Sequence, residues 1–303
     1  DAEPIFSDID SSTINISPEE VSKKVTKRTK LIVPVHFGGN PCDMVQLNKI
    51  GSKYNLAIIE DACHALGAKY KVGNKWIMIG SCAHSDMTVF SFHPVKHITT
   101  GEGGMITTNN KRYYEKLLTL RNHGMTRNPR MFKNKKMAFT KGKENLWYYE
   151  MQDLGFNYRI TDLQCALGIS QLKKINSFIK RRREVVSLYN SEFKNICDIR
   201  IPLEKKGFFS SYHLYVLRIN FKRFGMARND LMNKLKKMNI GTQVHYIPVY
   251  LQPYYKEKFN YKYGDYPIAE DYYSQTLSLP LYPKMTASDA GYVISAVKRC
   301  LGL

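Results

Sequence analysis

Short apolar runs alternate with amphipathic stretches in the first part of the chain. Residues 31–37 and 56–60 are rich in aliphatic side chains, and residues 43–54 between them carry apolar side chains at roughly helical spacing. Residues 17–27 begin with Ser-Pro-Glu-Glu, a sequence typical of a helix N-terminus. Strands that alternate with helices in this way form a mainly parallel sheet that helices cover on both faces. The sequence therefore predicts an α/β protein.

The pattern changes near residue 197. Beyond it, residues 213–219 alternate as a half-buried strand and residues 228–238 favour a helix, without the earlier repeat of strand and helix. A chain of 303 residues is long enough for one large domain and one smaller domain. We predict a large α/β domain over residues 1–196 and a small α+β domain over residues 197–303.

A lysine lies in a turn between two further apolar runs. Residues 87–92 and 105–108 contain β-branched and aromatic side chains that predict buried strands, and the turn between them contains Lys96 and several glycines. Because burial disfavours the charged form of an amine, such a lysine becomes nucleophilic near neutral pH. A nucleophilic lysine can form a Schiff base.

A carboxylate, Asp61, follows the apolar run of residues 56–60. In an open α/β sheet, the C-terminal ends of the strands border the crevice in which ligands bind. Pyridoxal phosphate (PLP) enzymes supply a Schiff-base lysine and an acidic partner for the pyridinium nitrogen. Either residue alone is more often a turn residue or a solvated lysine. Together, Lys96 and Asp61 indicate PLP chemistry.

Longer runs around these two residues resemble a known family. Residues 60–68 (EDACHALGA), 91–96 (SFHPVK) and 101–104 (GEGG) resemble the DegT/DnrJ/EryC1/StrS family of nucleotide-sugar aminotransferases. The resemblance extends over residues 4–298. It implies a PLP-dependent transferase of the aspartate aminotransferase fold, fold type I. Within the family, the runs FHPVKHITTGEGG, GFNYRITDLQCALGISQL, HYIPVYLQPYY and SLPLYPKMT are most similar to members that act in pseudaminic acid biosynthesis.

The resemblance assigns roles to five residues around the cofactor. It implies that Lys96 holds the cofactor and moves the proton, and that Asp61 pairs with the pyridinium nitrogen. Ser91 matches a residue that binds the cofactor phosphate, and His64 falls near the phenolic oxygen, where many relatives carry Gln. Asn157 matches an asparagine that reaches the phosphate of the neighbouring subunit's cofactor. A homodimer with a shared active site is therefore implied.

The resemblance also implies the reaction. An amino group passes from glutamate, through pyridoxamine phosphate, to C4 of a UDP-linked 4-keto-6-deoxy amino sugar in pseudaminic acid or related surface-glycan biosynthesis. His245, Tyr246 and Arg159 are the expected substrate-binding residues. Tyrosines near Tyr246 can stack on a uracil or a sugar face, although their usual role is packing.

One departure from the family concerns the cofactor phosphate. Family members begin with a helix and a loop of small residues whose N–H groups hold the phosphate, as helix N-termini generally do. This sequence begins at Asp1, after that region. Either the chain is a piece of a longer protein, or it holds the phosphate less completely, and both alternatives stay open here.

The net charge of +20, from 46 Lys and Arg against 26 Asp and Glu, allows two kinds of anionic partner. A basic surface attracts nucleic acid, but no recognition motif for nucleic acid accompanies the charge. It also attracts an anionic substrate.

Residues 125–145 contain seven basic side chains and no apolar period, which predicts a long loop. The loop is either a flap for a nucleotide diphosphate or a solvated insertion.

Three other functions are alternatives to the aminotransferase. A related sugar dehydratase carries histidine in place of the lysine, so Lys96 argues against it. A truncated or inactive family member and a basic nucleic-acid-binding protein are the remaining alternatives.

The six cysteines form no CxxC pair, and we expect neither a disulfide nor a metal site. No apolar run of 18 residues and no signal peptide occur, which predicts a cytoplasmic protein.

Overall fold

A mixed sheet lies at the centre of the N-terminal part of the structure, which is a computed structural model that describes residues 2–303. The strands of this part are β1 (Leu31–Ile32), β2 (Ala57–Asp61), β3 (Lys69–Val72), β4 (Lys75–Met78), β5 (Met87–Ser91) and β6 (Gly104–Thr107). The central sheet has the order β1-β2-β5-β6, in which β1, β2 and β5 are parallel and β6 is antiparallel to β5. The predicted α/β class with a parallel sheet is confirmed.

Three helices belong to this part of the chain, and they are α1 (Pro18–Lys24), α2 (Met44–Tyr54) and α3 (Lys111–Leu120). Met44 and Leu47 of α2 are fully buried and pack with Ile58 of β2 in one hydrophobic core. The predicted strand over residues 31–37 is shorter than expected. Beyond Ile32 the contact with β2 is reduced to an isolated bridge between Val35 and Asp61, in which the Pro34 carbonyl accepts from the Asp61 N–H at 2.9 Å. Further along, the Phe37 N–H donates to the side chain of Asn15 at 2.9 Å.

Residues 125–151 are more regular than the predicted loop. They contain β7 (Met125–Thr126), a 3-10 turn (Pro129–Met131), α4 (Lys135–Ala138), β8 (Phe139–Thr140), β9 (Lys143–Glu144) and β10 (Glu150–Met151). The Phe132 ring packs edge-on against Tyr148 with the centroids 4.9 Å apart, in a small separate core. Glu150 accepts hydrogen bonds from the Lys133 and Asn134 N–H groups. These contacts link distant positions, so they leave no local period in the sequence.

Two long helices follow, α5 (Asp162–Leu172) and α6 (Ile175–Phe193). Thr161 caps α5, in a capping box with Gln164. One residue of the basic run at positions 180–183 of α6 is buried, because Arg182 is 3% exposed. Its Nη1 donates to the carbonyl oxygens of His213 at 3.1 Å and Leu281 at 2.9 Å. The buried guanidinium thus ties α6 to the C-terminal part of the chain.

The C-terminal part packs around a second core. Its elements are β11 (Ile199–Arg200), β12 (Phe208–Phe209), β13 (Tyr215–Ile219), α7 (Arg228–Lys237), α8 (Pro253–Phe259), α9 (Pro267–Gln275), β14 (Thr276–Leu279) and α10 (Ala287–Leu301). An antiparallel sheet of order β11-β13-β14 packs against α6, α7 and α10. The strand β12 pairs with β3 and so joins the two parts. The domain boundary at residue 197 stays a prediction. Among residues 2–303, no helix is both long and apolar enough to span a bilayer.

Candidate active site

The C-terminal ends of β2 and β5 bring Asp61 and Lys96 to one edge of the central sheet. The two strands are parallel neighbours, with Asp61 opposite Val89, and Lys96 lies in the turn that follows β5. The Asp61 backbone is held on both sides, because its N–H donates to the Pro34 carbonyl at 2.9 Å and its carbonyl accepts from the His36 N–H at 3.0 Å. The strand end therefore fixes where this carboxylate lies.

Lys96 is half-buried in a tight glycine-rich turn. Its N–H donates to the His93 carbonyl at 2.9 Å, and the Phe92 N–H donates to the Gly103 carbonyl at 2.8 Å. Gly103 has φ +152, and a Cβ there would lie 2.4 Å from Thr100 Oγ1, so only glycine fits. Burial lowers the pKa of the Lys96 amine from its ordinary value of 10.5, although the negative charge of Asp61 opposes this shift.

A buried carboxylate on the opposite face of β2, Glu60, stabilises this strand end. Because His36 Nδ1 accepts from the Cys42 N–H, His36 Nε2 carries the proton and donates to Glu60 at 2.7 Å. Ser85 and Thr88 also donate to Glu60. Burial alone would raise the pKa of Glu60, but these hydrogen bonds outweigh it and the pKa is lowered. The sequence analysis did not predict this network. The position of Glu60 in an apolar run indicates a buried carboxylate, which needs hydrogen-bond partners.

Three histidine rings, those of His64, His97 and His213, pack beside the lysine. The centroids of His64 and His213 are 4.5 Å apart, and those of His97 and His213 are 5.4 Å apart. Burial, followed by the charge of Lys96, lowers the pKa of His64 to about 4. Burial, followed by the charge of Arg182, lowers the pKa of His97 to about 3. The rings are therefore neutral at neutral pH. Only His64 of the three was predicted from the sequence.

His245 and Tyr246 reach this group from the C-terminal part of the chain. The Tyr246 hydroxyl lies 3.4 Å from His64 Nε2, and His245 Nδ1 lies 2.7 Å from the Ser278 hydroxyl. Burial, followed by the charge of Lys96, lowers the pKa of His245. The structure thus places two of the three predicted substrate-binding residues beside His64, Asp61 and Lys96.

The other predicted residues occupy different places. Ser91 is the last residue of β5, and its hydroxyl accepts from the His93 N–H at 3.4 Å. Asn157 and Arg159 lie on an exposed segment before α5, where Arg159 Nη2 donates to Asn157 Oδ1 at 3.3 Å and Nη1 donates to Asn122 at 2.9 Å. Among residues 2–303, neither of these two side chains forms a hydrogen bond to the Lys96 turn.

The residues that meet here fit a pyridoxal cofactor. Lys96 supplies a partly desolvated amine, and Asp61 supplies an anion at the neighbouring strand end. The Nδ1 atom of His64 is buried without a hydrogen-bond partner, so it is free to bind a ligand in the same crevice. An amine of this kind can attack a carbonyl carbon and can then carry a proton to or from the adjacent atom.

Comparisons with known proteins agree with this chemistry. The sequence model described as the DegT/DnrJ/EryC1/StrS aminotransferase family matches residues 1–298. The chain is 42% identical over 299 residues to the spore coat polysaccharide biosynthesis protein SpsC of Bacillus subtilis, covering 98% of this chain and 73% of that protein.

It is 37% identical over 287 residues to the UDP-4-amino-4,6-dideoxy-N-acetyl-beta-L-altrosamine transaminase of Campylobacter jejuni, covering 92% of this chain and 68% of that protein. Among solved structures, it is similar to Helicobacter pylori PseC, an aminotransferase involved in the biosynthesis of pseudoaminic acid. The TM-score is 0.85 at 30% identity, over 99% of this chain and 74% of that one.

Proposed function

Since the chain belongs to the DegT/DnrJ/EryC1/StrS aminotransferase family, whose members are PLP-dependent sugar aminotransferases, we propose a specific substrate and donor for it. The amino group passes from glutamate to C4 of a UDP-linked 4-keto-6-deoxy amino sugar. The product serves the synthesis of pseudaminic acid or a related surface glycan. The activities of the Campylobacter and Helicobacter relatives support this class of substrate. The Bacillus relative, a spore coat polysaccharide biosynthesis protein, supports a surface glycan as the end product.

The observation that carries the proposal is the meeting of Lys96 and Asp61 at adjacent strand ends. The amine is half-buried and its pKa is lowered, so a larger fraction of it is neutral at working pH than of an exposed lysine. Asp61 lies near enough to oppose that shift. The two side chains can therefore reach opposite edges of one ring.

Each residue has a separate part in the proposed reaction. When bound, PLP stores the amino group and withdraws electrons from the carbon that carries it. Lys96 moves the proton at that carbon, and Asp61 holds the ring nitrogen in its protonated form. Ser91 binds the phosphate, and His64 donates or accepts at the ring oxygen. His245 and Tyr246 bind the sugar on the side of the C-terminal part of the chain.

We further propose that two copies of the chain form the active site together. The segment before α5 and the helix itself expose large apolar side chains, among them Leu154, which is 84% exposed, and Leu163, which is 86% exposed. The rings of Phe156 and Tyr158, which lie between these leucines in the sequence, stack on each other. Apolar surface of this extent is typical of an interaction site. Asn157 and Arg159 lie in the same exposed segment, so a second copy that covers this segment contacts both side chains.

The dimer is tested by sedimentation of a Leu163→Glu variant. A buried charge at an apolar interface opposes association, so the variant should sediment as a monomer. Leu303→Glu changes an exposed leucine at the chain terminus and should leave the assembly unchanged. If wild type and both variants sediment alike, the α5 face is not the interface.

The function is tested by amino transfer from glutamate to a UDP-4-keto-6-deoxy-N-acetylhexosamine in the presence of PLP. The aminated sugar nucleotide is detected by mass spectrometry, and the position of the new amine by NMR. Lys96→Arg keeps the positive charge but should abolish turnover, while PLP supplied in excess excludes simple loss of cofactor. Full turnover by Lys96→Arg would refute the assignment. Amination at another carbon would refute the C4 proposal alone.

A further inference from the structure

Two arginines face each other on neighbouring strands of the C-terminal sheet. In the antiparallel register of β11 and β13, Arg200 lies directly opposite Arg218. Like charges at directly opposed positions destabilise a strand pair. Both residues line one cavity of about 320 Å³, here named the Arg200–Arg218 cavity, which lies between the sheet and the loops at residues 11–14 and 37–40. The arrangement favours a bound negative charge.

Arg218 is buried on the cavity side of β13. Tyr215, Leu217 and Ile219 on the same strand are fully buried in the C-terminal core, so alternation directs Arg218 to the opposite face. Arg218 is 9% exposed, and its Nη1 donates to the Ser11 carbonyl at 2.6 Å. Its Nε is buried without a hydrogen-bond partner. A guanidinium without a counterion in such a place is unfavourable.

The side chains that line the cavity supply no counterion. Among the described residues that line it, none is Asp or Glu, so the two arginines are the only charged side chains of the wall. Burial lowers the pKa of Arg218, and the charge of Arg200 lowers it further, against the opposing charge of Asp271. Asp271 accepts from Gln275 instead and does not line the cavity.

The rest of the wall is suited to an organic body. Phe37, Tyr212 and Tyr272 contribute aromatic rings, and Ser11 to Thr13 contribute hydroxyl-bearing side chains. Asn40 also lines the cavity, and its Oδ1 atom is buried without a hydrogen-bond partner. The volume is at the lower end of the range for small-molecule sites, about 300–1,000 Å³. The cavity therefore combines an unneutralised cationic end, a free acceptor and aromatic walls.

We propose that the Arg200–Arg218 cavity binds a small organic anion whose carboxylate or phosphate lies between the two guanidinium groups. Either anion accepts charge-assisted hydrogen bonds from arginine, and its charge offsets the repulsion across the two strands. The apolar body of the ligand packs against Tyr212 and Phe37. The site is separate from the Lys96 turn, and neither Lys96 nor Asp61 lines it.

The cavity and the active site share an aromatic wall. Phe37 lies 6.2 Å from the His64 ring and 6.3 Å from the Tyr246 ring, measured between centroids. The Tyr272 hydroxyl donates to the His245 carbonyl at 3.0 Å. A ligand in the Arg200–Arg218 cavity thus contacts side chains that pack directly on the proposed sugar-binding residues.

The proposal is tested by calorimetric titration at low ionic strength with phenyl phosphate and with benzoate. The first probe represents a phosphate and the second a carboxylate, and benzyl alcohol is the uncharged control. Wild-type protein should bind at least one of the two anions at one site per chain, with no binding of the alcohol. Arg200→Met and Arg218→Met should each weaken binding at least tenfold. Arg200 is exposed, so its variant is expected to fold even if the Arg218 variant does not.

Two control variants test whether the binding measured by calorimetry takes place in the Arg200–Arg218 cavity. Arg223→Met removes an exposed arginine outside it and should leave the affinity within twofold of wild type. Ser91→Ala, at the proposed cofactor phosphate, should do the same. Absence of saturable binding by both anions would overturn the proposal. So would binding that survives Arg200→Met and Arg218→Met, or binding that is lost in Ser91→Ala but kept in the arginine variants.

Discussion

The cluster of His64, His97 and His213 should make the fold sensitive to mild acid. The pKa of His64 is lowered to about 4 and that of His97 to about 3, from an ordinary value of 6.5. Burial, followed by the charges of its two neighbours, also lowers the pKa of His213. Unfolding returns each ring to its ordinary value, so below pH 6.5 the unfolded chain binds protons that the folded chain does not. Stability is therefore lost as pH falls.

The magnitude follows from linkage. One group that is protonated in the unfolded state alone changes the free energy of unfolding by about 1.4 kcal/mol per pH unit. Between pH 7 and pH 5, each ring contributes about 2 kcal/mol, and the three together about 6 kcal/mol. Glu60 does not add to this loss, because its lowered pKa keeps it ionised in that range. A loss of this size is a large part of the stability of an ordinary domain, about 5–15 kcal/mol.

The assay is urea unfolding of wild type and His213→Phe at intervals between pH 7 and pH 5. Phenylalanine keeps a buried ring against His64 and His97 but cannot bind a proton. The variant should lose about 2 kcal/mol less than wild type over this range. His93→Gln, which changes an exposed histidine in the Lys96 turn, should keep the wild-type slope. If wild type and His213→Phe lose stability in parallel, the buried cluster does not titrate as described.

Two further substitutions test the support of the site. Glu60→Gln places an amide group where a carboxylate accepts from His36, and we expect a loss of about 3 kcal/mol in urea unfolding, against no change in the exposed control Glu257→Gln. Because the pKa of Glu60 is lowered in the fold, this difference should shrink as pH falls below 4.5. Gly103→Ala should weaken PLP binding at least tenfold, since the added Cβ displaces the turn. Gly101→Ala shares a positive φ but meets no atom within 4 Å, and equal effects of the two would exclude the steric explanation.

The sequence predicted those features of the fold that depend on local pattern. The runs that became β2 and β5 alternate in burial, and a strand end is where the sheet geometry places a ligand-binding side chain such as Asp61. The glycine turn around Lys96 was also visible, because glycine is needed where the backbone turns closely. The resemblance then added Ser91 and His64, which pattern alone does not distinguish from ordinary strand and turn residues.

The remaining features depend on contacts between distant positions. His97 lies beside His213, although more than a hundred residues separate them in the sequence. The contact is held by a hydrogen bond that His97 donates to the Ser211 carbonyl at 3.0 Å. Arg182 is buried only because carbonyl groups of the C-terminal part surround it. Likewise, the opposition of Arg200 and Arg218 follows from strand register. The hydrophobic periodicity of a single sequence does not indicate such contacts between distant residues.

The assignment of Lys96 and Asp61 to the cofactor is tested most directly by locating PLP on the chain. The protein is incubated with PLP, reduced with borohydride to fix the cofactor to the lysine with which it has reacted, and digested for mass spectrometry. We expect a single stoichiometric label on Lys96, which is lost in Lys96→Ala and reduced at limiting PLP in Asp61→Asn. A stoichiometric label on another lysine, or labelling that persists unchanged in Lys96→Ala, would contradict the assignment.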